Sequence, residues 1–255
     1  MLAGPAFWRY FYEIYEALPR QGPGTRESTL RALDLVPRTN PAQRILDIGC
    51  GSGAQTLDLA SATEAPIVAV DNHRPFIERL SEGAGELGLT GRVTAQVGDM
   101  NDLPFPDGSF DLIWSEGAIF VIGFSKGLAE WRRLLKPGGH LVVSEYCWLR
   151  DDPPDELREM HTEGCPDVGD VAARRRAVTA SGYELLADFL LPEAGWWENY
   201  YVPLASCLER FRALHADDAE ALEVAARSQQ EIDLYRQYAG MFGYVFFVMR
   251  RPPTS

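Results

Sequence analysis

Residues Ile45 to Ala60 read ILDIGCGSGAQTLDLA, and this stretch decides the fold of the chain. Its first residues are apolar and favour a strand, its last residues favour a helix, and Gly49, Gly51 and Gly53 stand between them. Glycine permits a tight turn and a close approach of the backbone to a ligand, and the following helix N-terminus supplies unpaired N–H donors. The stretch therefore predicts a strand–turn–helix unit that either binds a cofactor or simply connects two elements.

Short β-rich runs alternate with helical stretches from this turn onward. The predicted strands are Arg44–Ile48, Ile67–Val70, Val93–Val97, Phe110–Ser115 and His140–Tyr146. The predicted helices run from the glycine turn to Ala62, over Pro75–Leu87 and over Lys126–Leu135, with Lys136-Pro137-Gly138-Gly139 ending the last one. Because the strand runs are apolar without clean alternation, we expect helices on both faces of a doubly wound parallel sheet.

The C-terminal part continues this pattern with longer helices. It predicts a helix over Val171–Ser181, a strand over Tyr183–Leu191, and helical aromatic spacing from Trp196 to Leu214 that Pro203 kinks or restarts. Asp217 or Asp218 is expected to cap a second helix ending near Gly240, and Tyr244–Met249 is the last predicted strand. We expect one domain over residues 1–255, with a helical cap (1–40), a core (41–146) and lid insertions (147–170 and 196–240).

Composition restricts the classes of partner. The formal net charge of -13 disfavours nucleic acid, because an acidic surface repels a phosphate backbone. The four cysteines form no CxxC pair or Cys/His cluster, which indicates reduced thiols in a cytoplasmic protein and argues against a metal site. Since the sequence contains no apolar run of about 20 residues, we expect no membrane partner, and the chain is expected to be a monomer or a homodimer.

The spacing of the glycines narrows the choice of cofactor. The pattern is GxGxG behind Asp47, whereas dinucleotide-binding turns read GxGxxG. A carboxylate at that position disfavours a pyrophosphate and suits a ligand that carries an ammonium and a sulfonium group. Here the sequence resembles the class I S-adenosylmethionine (SAM)-dependent methyltransferases, whose first motif is this acidic residue and turn. The resemblance covers Ile45 to Tyr146 and the closing strand pair, and is closest to the ubiquinone- and menaquinone-biosynthesis-like enzymes.

This resemblance implies a particular sheet and a particular set of cofactor contacts. The sheet would have seven mostly parallel strands, with the last strand antiparallel beside the fifth and helical lids at the carboxyl edge. Asp71, after the second strand, suits the ribose hydroxyls or alternatively caps the next helix. Asp99 and Met100 occupy the position that reads the adenine in the family. The predicted cofactor-binding residues are Arg20, Gln21, Asp47, Gly49, Gly51, Gly53, Gln55, Asp71, Asn72, Asp99, Met100 and Ser115.

Arg20 and Gln21 belong to a loop, Leu18–Thr25, that is expected to close over the methionine end of SAM or else simply to connect two helices. Thr25 or Ser28 is expected to cap the helix that follows this loop.

The methyl acceptor is predicted to be a small molecule. The fourth strand ends in Trp114-Ser115-Glu116-Gly117, which lacks the (Asp/Asn)-Pro-Pro-aromatic motif of nucleic-acid amino-methyltransferases. An aromatic wall for an apolar or planar substrate is expected from Trp148, Trp196, Trp197, Tyr200 and Tyr201, unless these residues pack the lid.

A hydroxyl or protonated amine acceptor would need a base. The candidates are Glu116 and Glu145, at the predicted ends of the fourth and fifth strands, and His161, although each has a structural alternative. The predicted function is methyl transfer from SAM to an O or N atom of a small molecule. The alternatives are a module that binds SAM or S-adenosylhomocysteine without turnover and a nicotinamide-dependent oxidoreductase.

Overall fold

The computed structural model of the protein describes residues 4–37, 44–164 and 168–253, without the side chains of residues 160–164. The chain forms two compact units. Met1–Gly24 and Pro192–Ala239 make the smaller unit, and Thr25–Leu191 with Gly240–Ser255 make the larger one. The insertion between the last two long strands therefore joins the N-terminal helix in a unit of its own.

The larger unit is built on one mainly parallel sheet. Its strands are β1 (Ile45–Ile48), β2 (Ile67–Asp71), β3 (Val93–Val97), β4 (Phe110–Glu116), β5 (Leu135–Trp148), β6 (Gly169–Asp170), β7 (Glu184–Leu190) and β8 (Phe242–Arg250). The order is β3-β2-β1-β4-β5-β8-β7, and the two-residue β6 pairs with the end of β5. Strand β8 is antiparallel to both β5 and β7, which confirms the predicted fold class. The short β6 was not expected from the sequence.

The helices divide between the two units. The larger unit contains α2 (Arg26–Asp34), α3 (Ala54–Ala62), α4 (Arg74–Glu86), α5 (Phe124–Trp131), α6 (Asp155–Gly164) and α7 (Val171–Ala180). The smaller unit contains α1 (Pro5–Glu16), α8 (Glu193–Trp196), α9 (Val202–Leu214) and α10 (Ala219–Tyr238). Within the described residues, every helix is too short or too polar to cross a membrane.

The two faces of the sheet have different surroundings. Successive side chains of a strand point to opposite faces, and directly paired residues share a face. Glu116 pairs with Ser144, and the Thr29 side chain of α2 contacts Glu116, so this is the α2 face. The opposite face packs against α5 and α7 in an apolar core that includes Ile113, Phe124, Val143, Val178 and Phe247.

Strand β5 is longer than the sequence predicted. Helix α5 ends at Trp131, a 3-10 turn covers Arg132–Leu134, and the strand begins at Leu135 instead of His140. The pairing with β4 jumps between Leu135 and His140, so Lys136-Pro137-Gly138-Gly139 forms a bulge inside the strand. The expectation that this segment ends the helix directly was therefore wrong. Its glycine at 138 has a φ of 79°, which suits a bulge as well as a helix end.

The aromatic helical stretch of the smaller unit is interrupted before Pro203, where the break was expected. A π-helical turn, Trp197–Tyr201, separates α8 from α9, and Pro203 occupies the first turn of α9. The missing N–H of proline costs nothing in a first turn, so Pro203 restarts the helix. Asp218 caps α10 by accepting a hydrogen bond from the Ala221 backbone at 3.1 Å, as one of the two predicted caps.

A buried tyrosine–glutamate cluster includes two residues of this π-helical turn. The Tyr15 and Tyr200 hydroxyl oxygens are 2.8 Å apart, and the Tyr201 hydroxyl donates to Glu231 Oε1 at 3.1 Å. Burial raises the pKa of Glu231 to about 7, and the hydrogen bonds from Tyr201 and Tyr200 oppose this shift. The smaller unit therefore contains a carboxyl group that holds its proton near neutral pH.

Replacing Glu231 with glutamine is expected to make the stability of the chain less dependent on pH. Because the folded-state pKa of Glu231 is raised, its contribution to stability is complete below pH 4.5 and is lost as the pH rises through about 7. That loss amounts to about 3 kcal/mol. Thermal unfolding across this range should show a smaller decline for Glu231→Gln than for the wild type or for the exposed control Glu223→Gln. Identical declines in all three proteins would contradict the prediction.

Candidate functional site

The glycine turn adopts a backbone that only glycine accommodates. Gly49, Gly51 and Gly53 have φ values of 72°, 53° and 91°, in the left-handed region that other residues avoid. A β-carbon on Gly49 would lie 2.4 Å from Cβ of Ala118, and one on Gly53 would lie 2.2 Å from Cδ1 of Leu80. Both the conformation and the neighbouring side chains therefore exclude larger residues at these two positions.

Strand β2 holds the turn at its carboxyl end. The backbone N–H groups of Gly49 and Cys50 both donate to the Val70 carbonyl, at 2.8 and 3.1 Å. The Asp71 carboxylate accepts hydrogen bonds from the Gly51 and His73 backbone N–H groups, each at 2.9 Å. Burial raises the pKa of Asp71, and these hydrogen bonds act in the opposite direction. Since His73 precedes the first residue of α4, Asp71 connects the turn to the chain after β2.

Asp47 fastens β1 to the helix after the turn. Its side chain is fully buried and accepts hydrogen bonds from the Thr56 hydroxyl at 2.5 Å and the Gln55 amide at 3.5 Å. The Gln55 amide also donates to the Cys50 carbonyl at 3.3 Å. Asp47 and Gln55 therefore organise the turn itself. Thr56 was not among the predicted residues, although its place in the first turn of α3 follows from the motif.

Met100, one of the two residues predicted to contact the adenine, lies beside the same turn. The Cε atom of Met100 would be 3.4 Å from a β-carbon on Gly49, and the Met100 carbonyl accepts from Trp131 Nε1 at 3.1 Å. Asp99 is exposed and accepts hydrogen bonds from the Asn101 backbone and amide, at 2.9 and 3.0 Å, and the backbone bond chiefly lowers the pKa of Asp99. Asn72 is exposed just beyond β2.

The remaining predicted cofactor residues are Ser115, Arg20 and Gln21. Ser115 is fully buried on the α5/α7 face of β4, and its hydroxyl has no hydrogen-bond partner. Arg20 and Gln21 belong to the smaller unit, where the Gln21 amide donates to the Leu18 and Tyr15 carbonyls, both at 3.3 Å. The Thr25 hydroxyl accepts from the Ser28 backbone and is the predicted cap of α2.

Glu116 ends β4 and lies on the α2 face. Thr29 Oγ1 and Trp114 Nε1 both donate to Glu116 Oε1, each at 2.8 Å. The next residue, Gly117, has a φ of 60° and donates its N–H to Ser144 Oγ at 2.8 Å. The sequence predicted the position of Glu116, whereas its partners Thr29 and Trp114 depend on tertiary packing and strand parity.

Glu145 does not stand at a strand end. Strand β5 continues to Trp148, and Glu145 points to the α5/α7 face, opposite to Glu116. The Arg174 guanidinium of α7 lies 3.4 Å from Glu145 Oε1, and both side chains are buried. This geometry corrects the expected placement and favours a structural ion pair. The third candidate base, His161, lies in α6, but its side chain falls outside the described residues.

The predicted aromatic wall divides between the two units. Trp148 contacts the ring of Tyr146 at the end of β5, with ring centroids 5.4 Å apart. The Trp196 ring stacks on Tyr235 of α10 at 5.0 Å, and Tyr201 packs against both of these rings, which supports the alternative that these residues pack their own unit. Among the described residues, no group of three acidic, histidine or cysteine side chains is arranged to hold a metal ion.

Comparisons with known proteins identify a common family. Residues 45–139 match the family described as "Methyltransferase domain". The 27-O-demethylrifamycin SV methyltransferase of Amycolatopsis mediterranei is 25% identical over 89% of this chain and 85% of its own length. A sterol 24-C-methyltransferase of Eremothecium gossypii is 30% identical over 83% of this chain and 67% of its own length. The chain spans 45% of two longer sterol 24-C-methyltransferases.

A solved structure is similar to this chain over its whole length. The SAM-dependent methyltransferase from Geobacter sulfurreducens, in complex with S-adenosylhomocysteine, has a TM-score of 0.82 and 25% identity over 100% of both chains.

Gly49→Ala is expected to weaken S-adenosylhomocysteine binding and to destabilise the chain by more than about 2 kcal/mol. The added methyl group would meet Ala118 as well as strain the backbone. Gly88→Ala is the matched control, because Gly88 also has a positive φ, of 68°, but nothing within 4 Å of its β-carbon. Calorimetric titration and urea denaturation measure the two effects. Equal losses in both variants would show that the contact with Ala118 is unimportant.

Arg174→Met is expected to destabilise the larger unit by about 3–5 kcal/mol, because it leaves the buried Glu145 carboxylate without its cation. The neighbouring Arg175 pairs with Asp188 at the surface, so Arg175→Met should cost less than about 1 kcal/mol. Urea denaturation of both variants tests the difference. If Arg174→Met unfolded at the wild-type urea concentration, the ion pair would not be structural.

Proposed function

The chain belongs to the class I SAM-dependent methyltransferases, and we propose that it transfers the methyl group to an oxygen or nitrogen atom of a small organic molecule. The observation that carries this proposal is the position of Glu116. It ends β4 two residues before Ala118, whose Cβ packs against Gly49 of the glycine turn. An acceptor held beside Glu116 is therefore next to the turn that binds the methyl donor.

The residues around the turn fit SAM. Because Gly49 and Gly53 carry no side chain, the turn stays compact between Ala118 and Leu80 and keeps its backbone N–H groups near a ligand. Asp71 retains acceptor capacity for ribose hydroxyls beyond its backbone hydrogen bonds, because each carboxylate oxygen has two lone pairs. Asp99 and Met100 are proposed to contact the adenine. Asp47 acts indirectly in this proposal, by holding Gln55 and Thr56 behind the turn.

When bound, SAM supplies a methyl group that its sulfonium already activates. The protein then contributes mainly by orienting the acceptor and excluding water. We propose that Glu116 accepts the hydrogen bond, and finally the proton, of the acceptor's O–H or N–H group. Thr29 and Trp114 donate to the same oxygen of Glu116, so the carboxylate is fixed before the acceptor binds.

The small-molecule acceptor is supported by the charge of the chain and by its relatives. A net charge of -13 disfavours a nucleic-acid substrate. The relatives named above methylate a rifamycin derivative and a sterol, respectively, and the sterol enzyme is named for methylation at carbon. Mass spectrometry and NMR of the methylated product would identify the atom that this chain modifies.

Glu116→Gln is expected to lower turnover about 100-fold, with S-adenosylhomocysteine affinity within about twofold of the wild type, because the amide accepts no proton. Glu82→Gln, at an exposed position of α4, is the matched control and should leave both quantities unchanged. Turnover is measured with labelled SAM and an acceptor from a metabolite panel. Wild-type turnover in Glu116→Gln would remove this residue as the base. Binding of the cofactor without transfer to any acceptor would favour the binding module instead.

A further inference from the structure

Four aromatic side chains form a cluster at the end of β5. Tyr146 pairs with Tyr244, and Trp148 pairs with Phe242, so all four side chains share one face of the sheet. Tyr146 stacks on Phe242 with a centroid distance of 5.0 Å and meets Trp148 edge-on at 5.4 Å. Because Tyr146 is two residues from Ser144, this is the same α2 face on which Glu116 lies.

Gly117 and Ala118 connect the cluster to the glycine turn. A β-carbon on Gly117 would lie 3.0 Å from Cε2 and 3.4 Å from the hydroxyl oxygen of Tyr244. On the other side, Ala118 packs against Gly49. Of the two residues that follow Glu116, Gly117 thus contacts the aromatic cluster and Ala118 contacts the glycine turn.

We propose that Tyr146, Trp148, Phe242 and Tyr244 bind the methyl acceptor and select molecules with a planar, apolar ring system. This inference rests on the proposed function. Aromatic faces and edges pack favourably against flat rings, and none of the four side chains carries a formal charge. A small ionic acceptor would lose its hydration here without gaining a partner among these rings.

The position of the reacting atom follows from the same contacts. Tyr244 packs against Gly117, the residue that follows Glu116, so a ring bound beside Tyr244 is near the Glu116 carboxylate. Acceptors with a hydroxyl or amino group on the ring edge are therefore the expected substrates, in preference to those whose polar group stands on a long flexible chain.

The test uses the full chain saturated with S-adenosylhomocysteine, with 2-naphthol as the planar probe and phosphoethanolamine as the small ionic probe. Calorimetry should show saturable binding of 2-naphthol and none of phosphoethanolamine. Phe242→Leu should weaken 2-naphthol binding about fivefold or more. The control is Phe189→Leu, because Phe189 stacks on Phe246 at 4.9 Å on the same sheet but farther from the end of β5. The affinity of Phe189→Leu for 2-naphthol should stay within about twofold of the wild-type affinity.

Trp148→Leu provides a second variant, because Trp148 is only half-buried and its replacement disturbs the core less. It is expected to weaken 2-naphthol binding as Phe242→Leu does, with S-adenosylhomocysteine affinity unchanged. Absence of 2-naphthol binding by the wild type, or equal effects of the cluster and control variants, would overturn the proposal. Failure of the wild type to bind S-adenosylhomocysteine is a separate result that would instead remove the proposed function.

Discussion

The hydrogen bonds between the glycine turn and β2 are the constraint on which the rest of the site depends. One carbonyl, that of Val70, accepts two consecutive backbone N–H groups, and the next residue, Asp71, accepts a third from Gly51. These bonds require the left-handed backbone that only glycines adopt readily. The turn thereby fixes where Ala118 can pack, and with it the end of β4 that presents Glu116.

The sequence predicted this part of the molecule well because its signals are local. A strand, three glycines and a helix follow each other within sixteen residues, and their spacing alone distinguishes the turn from a dinucleotide site. The family resemblance then predicted the reversal of β8 between β5 and β7. The prediction failed at Lys136-Pro137-Gly138-Gly139, because this segment suits a helix end and a strand bulge equally well.

The candidate bases show a second limit of sequence reasoning. Glu116 and Glu145 each follow a serine at the end of an apolar run, so the sequence predicts the same strand-end position for both. The sheet places them on opposite faces, and the long β5 puts Glu145 against Arg174 instead of at the edge. Which face a side chain occupies depends on register with the neighbouring strand, and register is not encoded in a single strand. The contact of Thr29 with Glu116 was not predicted for the same reason.

Cys50 gives the glycine turn an unexpected chemical property. Its thiol is buried, and burial raises its pKa well above the usual range, with the Asp47 and Asp71 carboxylates adding to the effect. Alkylating agents and peroxides react with thiolates, which this environment suppresses. The cysteine between two glycines of this turn is therefore held as the less reactive thiol.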